Sequence, residues 1–217
     1  MVSMTPLLTA LLAALPLVLA SPMVGLETRG ELTKNAACNT AKKSYSGNWR
    51  KFPAIDTWLT FDDLFECNRG SMSASGSTSA DITKIKVAIV DAAKLGVDER
   101  VILGIIMQES HGYVGVQTTI SPDGVPTAGL MQCTGCDGFP GKKGLTQAQI
   151  SSMVKGGTKH YKENLKTWGD KWSGESIYPA LREYNSGSVN PDNLSDGRNA
   201  TPSYVSDVAN RFRGWVN

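Results

Sequence analysis

The 217-residue sequence has little histidine and almost no net charge, and it lacks several common enzyme motifs. Two histidines are too few for a typical histidine-based metal site, so we expect neither metal nor cofactor. The net charge of +2 lacks the basic excess of nucleic-acid-binding proteins, although it does not oppose binding to an anionic polymer. The sequence also contains no internal repeat, no Gly-x-Ser-x-Gly string and no visible Ser-His-Asp or Cys-His arrangement. The usual nucleophilic hydrolases and nucleic-acid-binding proteins are therefore disfavoured.

Charged residues are absent from residues 1–20, which are rich in Leu and Ala and end with Val18 and Ala20 at the positions of a signal-peptide cleavage site. Pro16 interrupts this apolar run, which is also too short for a typical membrane span. We therefore expect a signal peptide at 1–20 and a secreted, extracellular, monomeric protein without a membrane anchor. Residues 21–37 lack a hydrophobic pattern and are expected to be disordered or a pro-segment.

Four cysteines, at Cys38, Cys67, Cys133 and Cys136, suit the oxidising compartment that a signal peptide implies. Of the three possible pairings we favour Cys38 with Cys67 and Cys133 with Cys136, because the second pair could close a tight loop. A zinc site is the alternative, but a single Cys-x-x-Cys with two distant cysteines is a poor ligand pattern.

Two N-glycosylation sequons begin at Asn193 and Asn199, within a stretch rich in Asn, Asp, Gly and Ser. Such a composition is typical of a surface loop. The sequons fit a secreted eukaryotic glycoprotein.

A Ser- and Gly-rich stretch at 70–80 has too little apolar content to fold alone, and we interpret it as a linker or loop. It divides an aromatic segment at 38–69, expected to cap the main domain, from that domain at 81–217. The aromatic segment is too short to fold independently. Its large apolar residues are Trp49, Phe52, Trp58, Leu59, Phe61, Leu64 and Phe65.

Helical spacing of apolar residues recurs after the linker. One helix is expected to follow Asp81 and to end near Gly96, and a second, capped by Asp98, covers residues 101–109. The second helix is apolar on nearly every side, so it is expected to be buried through the domain centre. Three further helical faces are Ile150, Met153, Val154, Gly157, Tyr161 and Leu165; Ile177, Ala180, Leu181 and Tyr184; and Val205, Val208, Ala209, Phe212 and Trp215.

Residues 112–144 change character, with many Gly and Pro and several β-branched residues, and predict a loop or small hairpin. The glycines of this region lack the order of a phosphate-binding loop and are interpreted as a flexible rim. The predicted fold is mainly α, of the α+β kind, with a helical bundle around a buried central helix and a small irregular or β region.

Glu109 ends the predicted buried helix, on the same face as Ile102 and Ile105. A carboxyl group at the apolar end of a buried helix loses solvation, which raises its pKa and keeps it protonated near neutral pH. The same pattern also fits a residue that simply ends the helix and faces solvent.

Three strings decide between these interpretations: Glu109-Ser110-His111-Gly112, Gly129-Leu130-Met131-Gln132 and Tyr184-Asn185-Ser186-Gly187. In this order and with this spacing they resemble the goose-type lysozyme and soluble lytic transglycosylase family, over residues 85–212. The resemblance implies a lysozyme-like fold with a sugar-binding cleft and Glu109 as the general acid. It also implies a role in substrate binding for Ser110, His111, Gly129, Leu130, Met131, Gln132, Tyr184 and Asn185.

Hydrolysis with inversion needs a second carboxylate, and Asp123 is the best candidate, although its neighbourhood also fits a plain turn. Goose-type enzymes tend to carry another aspartate where this sequence has Thr134. If no second carboxylate serves, the resemblance implies an attack by groups of the substrate itself, which leaves a 1,6-anhydro sugar.

The resemblance implies a muramidase that cuts β-1,4 bonds between N-acetylmuramic acid and N-acetylglucosamine in peptidoglycan, with chitin-type polymers as the alternative substrate. Two other functions stay open at this point. One is a lytic transglycosylase, and the other is a sugar-binding or effector protein that keeps the fold without turnover.

Overall fold

The computed structural model describes residues 38–39, 41–121 and 124–217, and this part of the chain is mainly helical. The predicted signal peptide at 1–20 and the segment at 21–37 lie outside the described residues. Two short 3-10 helices, Trp49–Lys51 and Ile55–Thr57, precede six α-helices. The α-helices are α1 (Phe61–Ser75), α2 (Ser79–Ala93), α3 (Glu99–Glu109), α4 (Gln147–Thr167), α5 (Gly174–Ser186) and α6 (Tyr204–Phe212).

A small antiparallel sheet lies between α3 and α4 in the chain, where a loop or hairpin is predicted. Its strands are β1 (Thr119–Ile120), β2 (Pro126–Ala128) and β3 (Cys133–Thr134), paired in the order β1-β2-β3. The mainly helical fold with a small β region is therefore confirmed.

The helix α3 is buried, as predicted, and α6 beside it is buried along its whole length. Every residue from 101 to 107 is buried, and α1, α2 and α6 pack around the helix. Asp98 is its N-cap, since the Asp98 side chain accepts a hydrogen bond from the backbone of Arg100. A helix enclosed in this way exposes its end groups only where neighbouring elements leave room.

The predicted linker at 70–80 is wrong. Residues 70–75 are the last turns of α1, and α2 begins at Ser79 after a turn at Gly76, which adopts the left-handed conformation with φ of 117°. The polar composition is tolerated because Met72 is fully buried in the core and Thr78 caps α2. The aromatic segment at 38–69 contributes to the same hydrophobic core as the later helices.

The limits of two other predicted helices shift slightly. In α2, Asp81 is the third residue of a capping box with Thr78, and the helix ends at Ala93, before Gly96. The last helix begins at Tyr204, two residues after Pro202.

Both favoured disulfides are present, Cys38 with Cys67 and Cys133 with Cys136. The first attaches the start of the described chain to α1, and the second closes the loop that begins with β3.

Gly104 allows α6 to approach α3 closely. A Cβ atom at Gly104 would lie 2.9 Å from Cε1 of Phe212 and 3.1 Å from Cγ1 of Val208, both of which belong to α6 and are fully buried. Five residues further along α3 is Glu109, which contacts Tyr204 at the other end of α6. The packing at Gly104 therefore brings α6 against the helix that carries Glu109.

We predict that Gly104→Ala lowers the free energy of unfolding by roughly 1–3 kcal/mol, because the added methyl group overpacks the contact with Phe212. Chemical denaturation measures this change. The matched control is Gly70→Ala in α1, where the added Cβ has no neighbouring atom within 4 Å. That variant should gain about 0.5–1 kcal/mol from helix propensity, and equal effects at both positions would contradict the packing argument.

Candidate active site

Glu109 is the last residue of α3; the residue is half-buried, and its carboxyl group loses much of its solvation. Burial raises the pKa of this carboxyl to about 7, while a hydrogen bond from Tyr204 acts in the opposite direction. Removal of solvent destabilises the charged form of an acid, whereas a hydrogen bond to the carboxylate favours it. Burial dominates, so a substantial fraction of Glu109 holds a proton near neutral pH.

Tyr204 is the direct partner of Glu109. Its hydroxyl donates a hydrogen bond to Oε1 of Glu109 at 2.7 Å, and the Tyr204 side chain is only 2% exposed. Sequence analysis missed this residue, although a signal was present: Tyr204 precedes Val208 and Phe212 at helical spacing on the apolar face of α6. Burial and the nearby carboxyl raise the pKa of Tyr204 well above its ordinary value, so the phenol stays a donor.

The hydroxyl of Tyr184 has an acceptor other than Glu109. The hydroxyl donates to the backbone carbonyl of Met131 at 2.6 Å. Burial raises the pKa of Tyr184 well above its ordinary value, and the charge of Glu109 adds a smaller effect in the same direction. Tyr184 therefore lies within electrostatic range of the acid while it holds the loop of residues 129–132, which we call the Met131 loop.

Ser110 attaches the end of α3 to the Met131 loop. Its buried hydroxyl lies 2.8 Å from the carbonyl of Leu130 and 3.0 Å from that of Ile106, and it accepts a hydrogen bond from the backbone of Gly112. The proposed contact of Ser110 with sugar stays a prediction. Its observed contacts bring the loop to the residue that follows Glu109.

The Met131 loop has a restrained backbone. Gly129 has φ of 73°, and a Cβ there would lie 2.3 Å from the carbonyl oxygen of Asp137, so only glycine fits. Leu130 and Met131 are fully buried. Gln132 also has positive φ, 44°, and its side-chain amide donates to the carbonyl of Gly129 at 3.0 Å.

The Gln132 side chain also connects the loop to the sheet region. Its amide donates to the carbonyl of Gln117 at 3.2 Å, and its Oε1 accepts from the hydroxyl of Thr119 in β1 at 2.9 Å. The amide of Gln132 is partly exposed. A sugar contact of this residue, which the resemblance implies, stays a prediction.

His111 and Asn185 contact different partners. His111 has φ of 51°, and its Nε2 lies 3.0 Å from Nδ2 of Asn217. Burial lowers the pKa of His111, and the charge of Arg211 adds a smaller effect in the same direction. Asn185 accepts hydrogen bonds through Oδ1 from Arg182 and from the backbone of Thr201.

The predicted second carboxylate, Asp123, lies outside the described residues. Thr134 is an exposed residue of β3. The sequon residues Asn193 and Asn199 are both exposed, as attachment of a glycan would require. Within the described ranges, no carboxylate contributes to the shifted pKa of Glu109.

In the described part of the chain, no cluster of three or more His, Cys, Asp or Glu side chains could hold a metal ion. None of the described helices combines the length and hydropathy needed to cross a membrane.

Neither a protein-family model nor a curated protein sequence matches this chain significantly.

We predict that Glu109→Gln stabilises the protein, and more strongly at pH 8 than at pH 4. The folded state keeps the Glu109 proton up to about pH 7, whereas the unfolded state loses it near its ordinary value of 4.5. The contribution of Glu109 to the stability of the wild type therefore falls as pH rises from about 4.5 to about 7 and is constant above that range. Glutamine does not titrate, so the gain should reach about 3 kcal/mol at pH 8.

Denaturation at both pH values measures this gain. Glu163→Gln, at an exposed position of α4, is the control and should change stability by less than about 0.5 kcal/mol at either pH. A gain for Glu109→Gln that is the same at pH 4 and pH 8 would show that the carboxyl is not desolvated.

Proposed function

We propose that this chain is a secreted, lysozyme-like glycosidase that cleaves β-1,4 bonds in peptidoglycan, with Glu109 as the general acid. The observation that carries the proposal is the carboxyl at the end of α3, whose pKa is raised to about 7 by burial and which Tyr204 holds. A glycosidic oxygen leaves poorly as an alkoxide, so cleavage needs an acid that is protonated at the working pH. A solvated carboxyl, ionised above pH 5, would rarely hold that proton.

The surroundings of Glu109 support the same chemistry. The Met131 loop reaches the end of α3 through Ser110, and Tyr184 holds the loop at the carbonyl of Met131. Ser110, the Met131 loop and Tyr184 belong to the three sequence strings, and their mutual contacts support the proposal of a single site near Glu109. The two disulfides suit an oxidising compartment, which supports the secreted location.

In the proposed reaction Glu109 transfers its proton to the glycosidic oxygen as the bond to the anomeric carbon breaks. The carboxylate that forms accepts the hydrogen bond of Tyr204. Two routes complete the reaction. In the first, Asp123 accepts a proton from the water that attacks the anomeric carbon. In the second, the acetamido oxygen of the substrate bonds to the anomeric carbon, and a sugar hydroxyl then displaces it and returns its proton to the Glu109 carboxylate. Thr134, in place of a second aspartate, favours the second route.

We expect Glu109→Gln to reduce the clearing of purified bacterial cell walls at least about 100-fold, because the proton donor is lost while the shape is kept. The assay compares the variant with the wild type and with Glu163→Gln, which should retain full activity. Equal clearing by all three proteins would remove Glu109 from the mechanism. No clearing by any of them would favour a sugar-binding protein without turnover, and digestion of chitin in parallel would separate the two substrate classes.

Mass spectrometry of the released fragments distinguishes the two routes. We expect 1,6-anhydro ends, and Asp123→Asn should then leave the product and most of the rate unchanged. Reducing ends that disappear in Asp123→Asn would instead establish hydrolysis with Asp123 as the second carboxylate.

A further inference from the structure

Arg182 is a buried cation of α5 whose hydrogen-bonding partners are all uncharged. Its relative exposure is 0%, and none of the salt bridges among the described residues involves it. Burial lowers the pKa of its guanidinium, because water that would stabilise the charge is excluded. A buried charge without a paired carboxylate is costly, and an apolar residue of similar volume would avoid the cost. Its partners therefore indicate what the charge contributes.

The guanidinium connects the end of α5 to the segment that leads into α6. Nη1 donates to the carbonyl of Thr201 at 3.0 Å and to that of Leu194 at 3.4 Å. Nη2 donates to Oδ1 of Asn185, which also accepts from the backbone of Thr201 at 3.2 Å. Arg182 and Asn185 together therefore hold both polar backbone atoms of Thr201.

Thr201 passes this restraint directly to Tyr204. The carbonyl of Thr201 that accepts from Arg182 also accepts from the backbone N–H of Tyr204 at 3.2 Å. In addition, the guanidinium carbon of Arg182 lies 6.0 Å from the centre of the Tyr204 ring. Arg182 thus contacts both the backbone acceptor and the ring of the residue that donates to Glu109.

The charge of Arg182 also acts on the phenol. Burial and Glu109 raise the pKa of Tyr204, and the nearby cation of Arg182 opposes this rise. A cation that favours the ionised phenol polarises its O–H bond, which strengthens the hydroxyl as a donor.

Three other titratable groups face this arrangement. Asp196 interacts electrostatically with Arg182, but its salt bridge is with Arg198, at 3.2 Å. Tyr184 of α5 lies within electrostatic range of Glu109 and Tyr204, but its hydroxyl donates to Met131. Arg211 of α6 interacts electrostatically with Tyr204, and its guanidinium donates to Gln108 and Asn217. Arg182 contacts both the Tyr204 ring and the Thr201 carbonyl that accepts from the Tyr204 backbone, so we regard it as the charged group that positions Tyr204.

We propose that Arg182 is a positioning residue, which holds the start of α6 and the Tyr204 ring so that the phenol hydroxyl stays on Oε1 of Glu109. An effect of Arg182 on catalysis rests on the proposed function. In that function Glu109 donates its proton and becomes a carboxylate, which the Tyr204 hydroxyl stabilises. The positioning itself does not depend on catalysis and can be measured separately.

Carbon-13 NMR of protein labelled at the glutamate carboxyls, with Glu109→Gln for assignment, gives the titration midpoint of Glu109 in each variant. In Tyr204→Phe the midpoint should rise, because the carboxylate loses a hydrogen bond. In Arg182→Met it should rise in the same direction. The double variant should show no larger rise than Tyr204→Phe alone, because Arg182 acts through Tyr204. Arg182→Lys, which keeps the charge, should recover part of the wild-type value.

Arg100→Met is the matched control, since the Arg100 guanidinium also lies beside aromatic rings, 5.3 Å from those of Trp58 and Trp172, at the start of α3. It should leave the Glu109 midpoint unchanged. Near-ultraviolet circular dichroism establishes that each variant is folded, and Arg182→Gln replaces Arg182→Met if the latter does not fold. An unchanged Glu109 midpoint in the folded neutral variant would overturn the proposal. The proposal would also be overturned if Arg182→Met raised the Glu109 midpoint as much in the Tyr204→Phe background as it does in the wild type.

Activity separates this proposal from the proposed function. On cell walls, Arg182→Met should lower kcat roughly tenfold or more with a smaller change in KM, because the acid and not substrate binding is affected. If the midpoints shift as expected while the wild type clears no cell walls, the positioning stands and the proposed function fails. If the wild type is active and its midpoint is insensitive to Arg182, the positioning fails alone.

Discussion

Desolvation of one carboxyl group at the end of α3 is the constraint on which the candidate site depends. The helix is buried on all sides between residues 101 and 107, and Glu109 follows at its half-buried end, against the hydroxyl of Tyr204. Loss of water raises the pKa of Glu109 to about 7, which places its titration where a proton donor is useful. The same loss of water makes the ionised site a source of instability, so the acid is maintained at the expense of the fold.

The rest of the site can be understood as support for that group. Tyr204 supplies the direct hydrogen bond, and Gly104 lets its helix approach closely enough to supply it. Arg182 holds Thr201, in the segment that leads into α6, and its guanidinium lies beside the Tyr204 ring. Ser110 attaches the Met131 loop to the end of α3 through the carbonyl of Leu130. Elements from distant parts of the chain therefore converge on one carboxyl oxygen or on its immediate neighbours.

The mainly helical fold was largely predictable, because hydrophobic spacing and cap residues act locally. Asp98 caps α3 as expected, and the predicted apolar residues of α4 and most of those of α5 are buried. Helix α6 is buried along its whole length, and the predicted Trp215 lies beyond its end. The stretch at 70–80 was mispredicted for the opposite reason. Its Ser and Gly residues have weak helix propensity, and burial of Met72 against the core outweighs that weakness. No local pattern carries that information.

The candidate site divides in the same way. The sequence by itself determined that Glu109 ends an apolar helix, that the three strings occur in order, and that the cysteines suit two disulfides, because these features depend on residue type and spacing. Only the tertiary structure decided that Tyr204 is the partner of Glu109 and that the hydroxyl of Tyr184 reaches Met131. Those contacts join residues far apart in the chain, and their geometry follows from how closely whole helices pack, which spacing along the sequence does not specify.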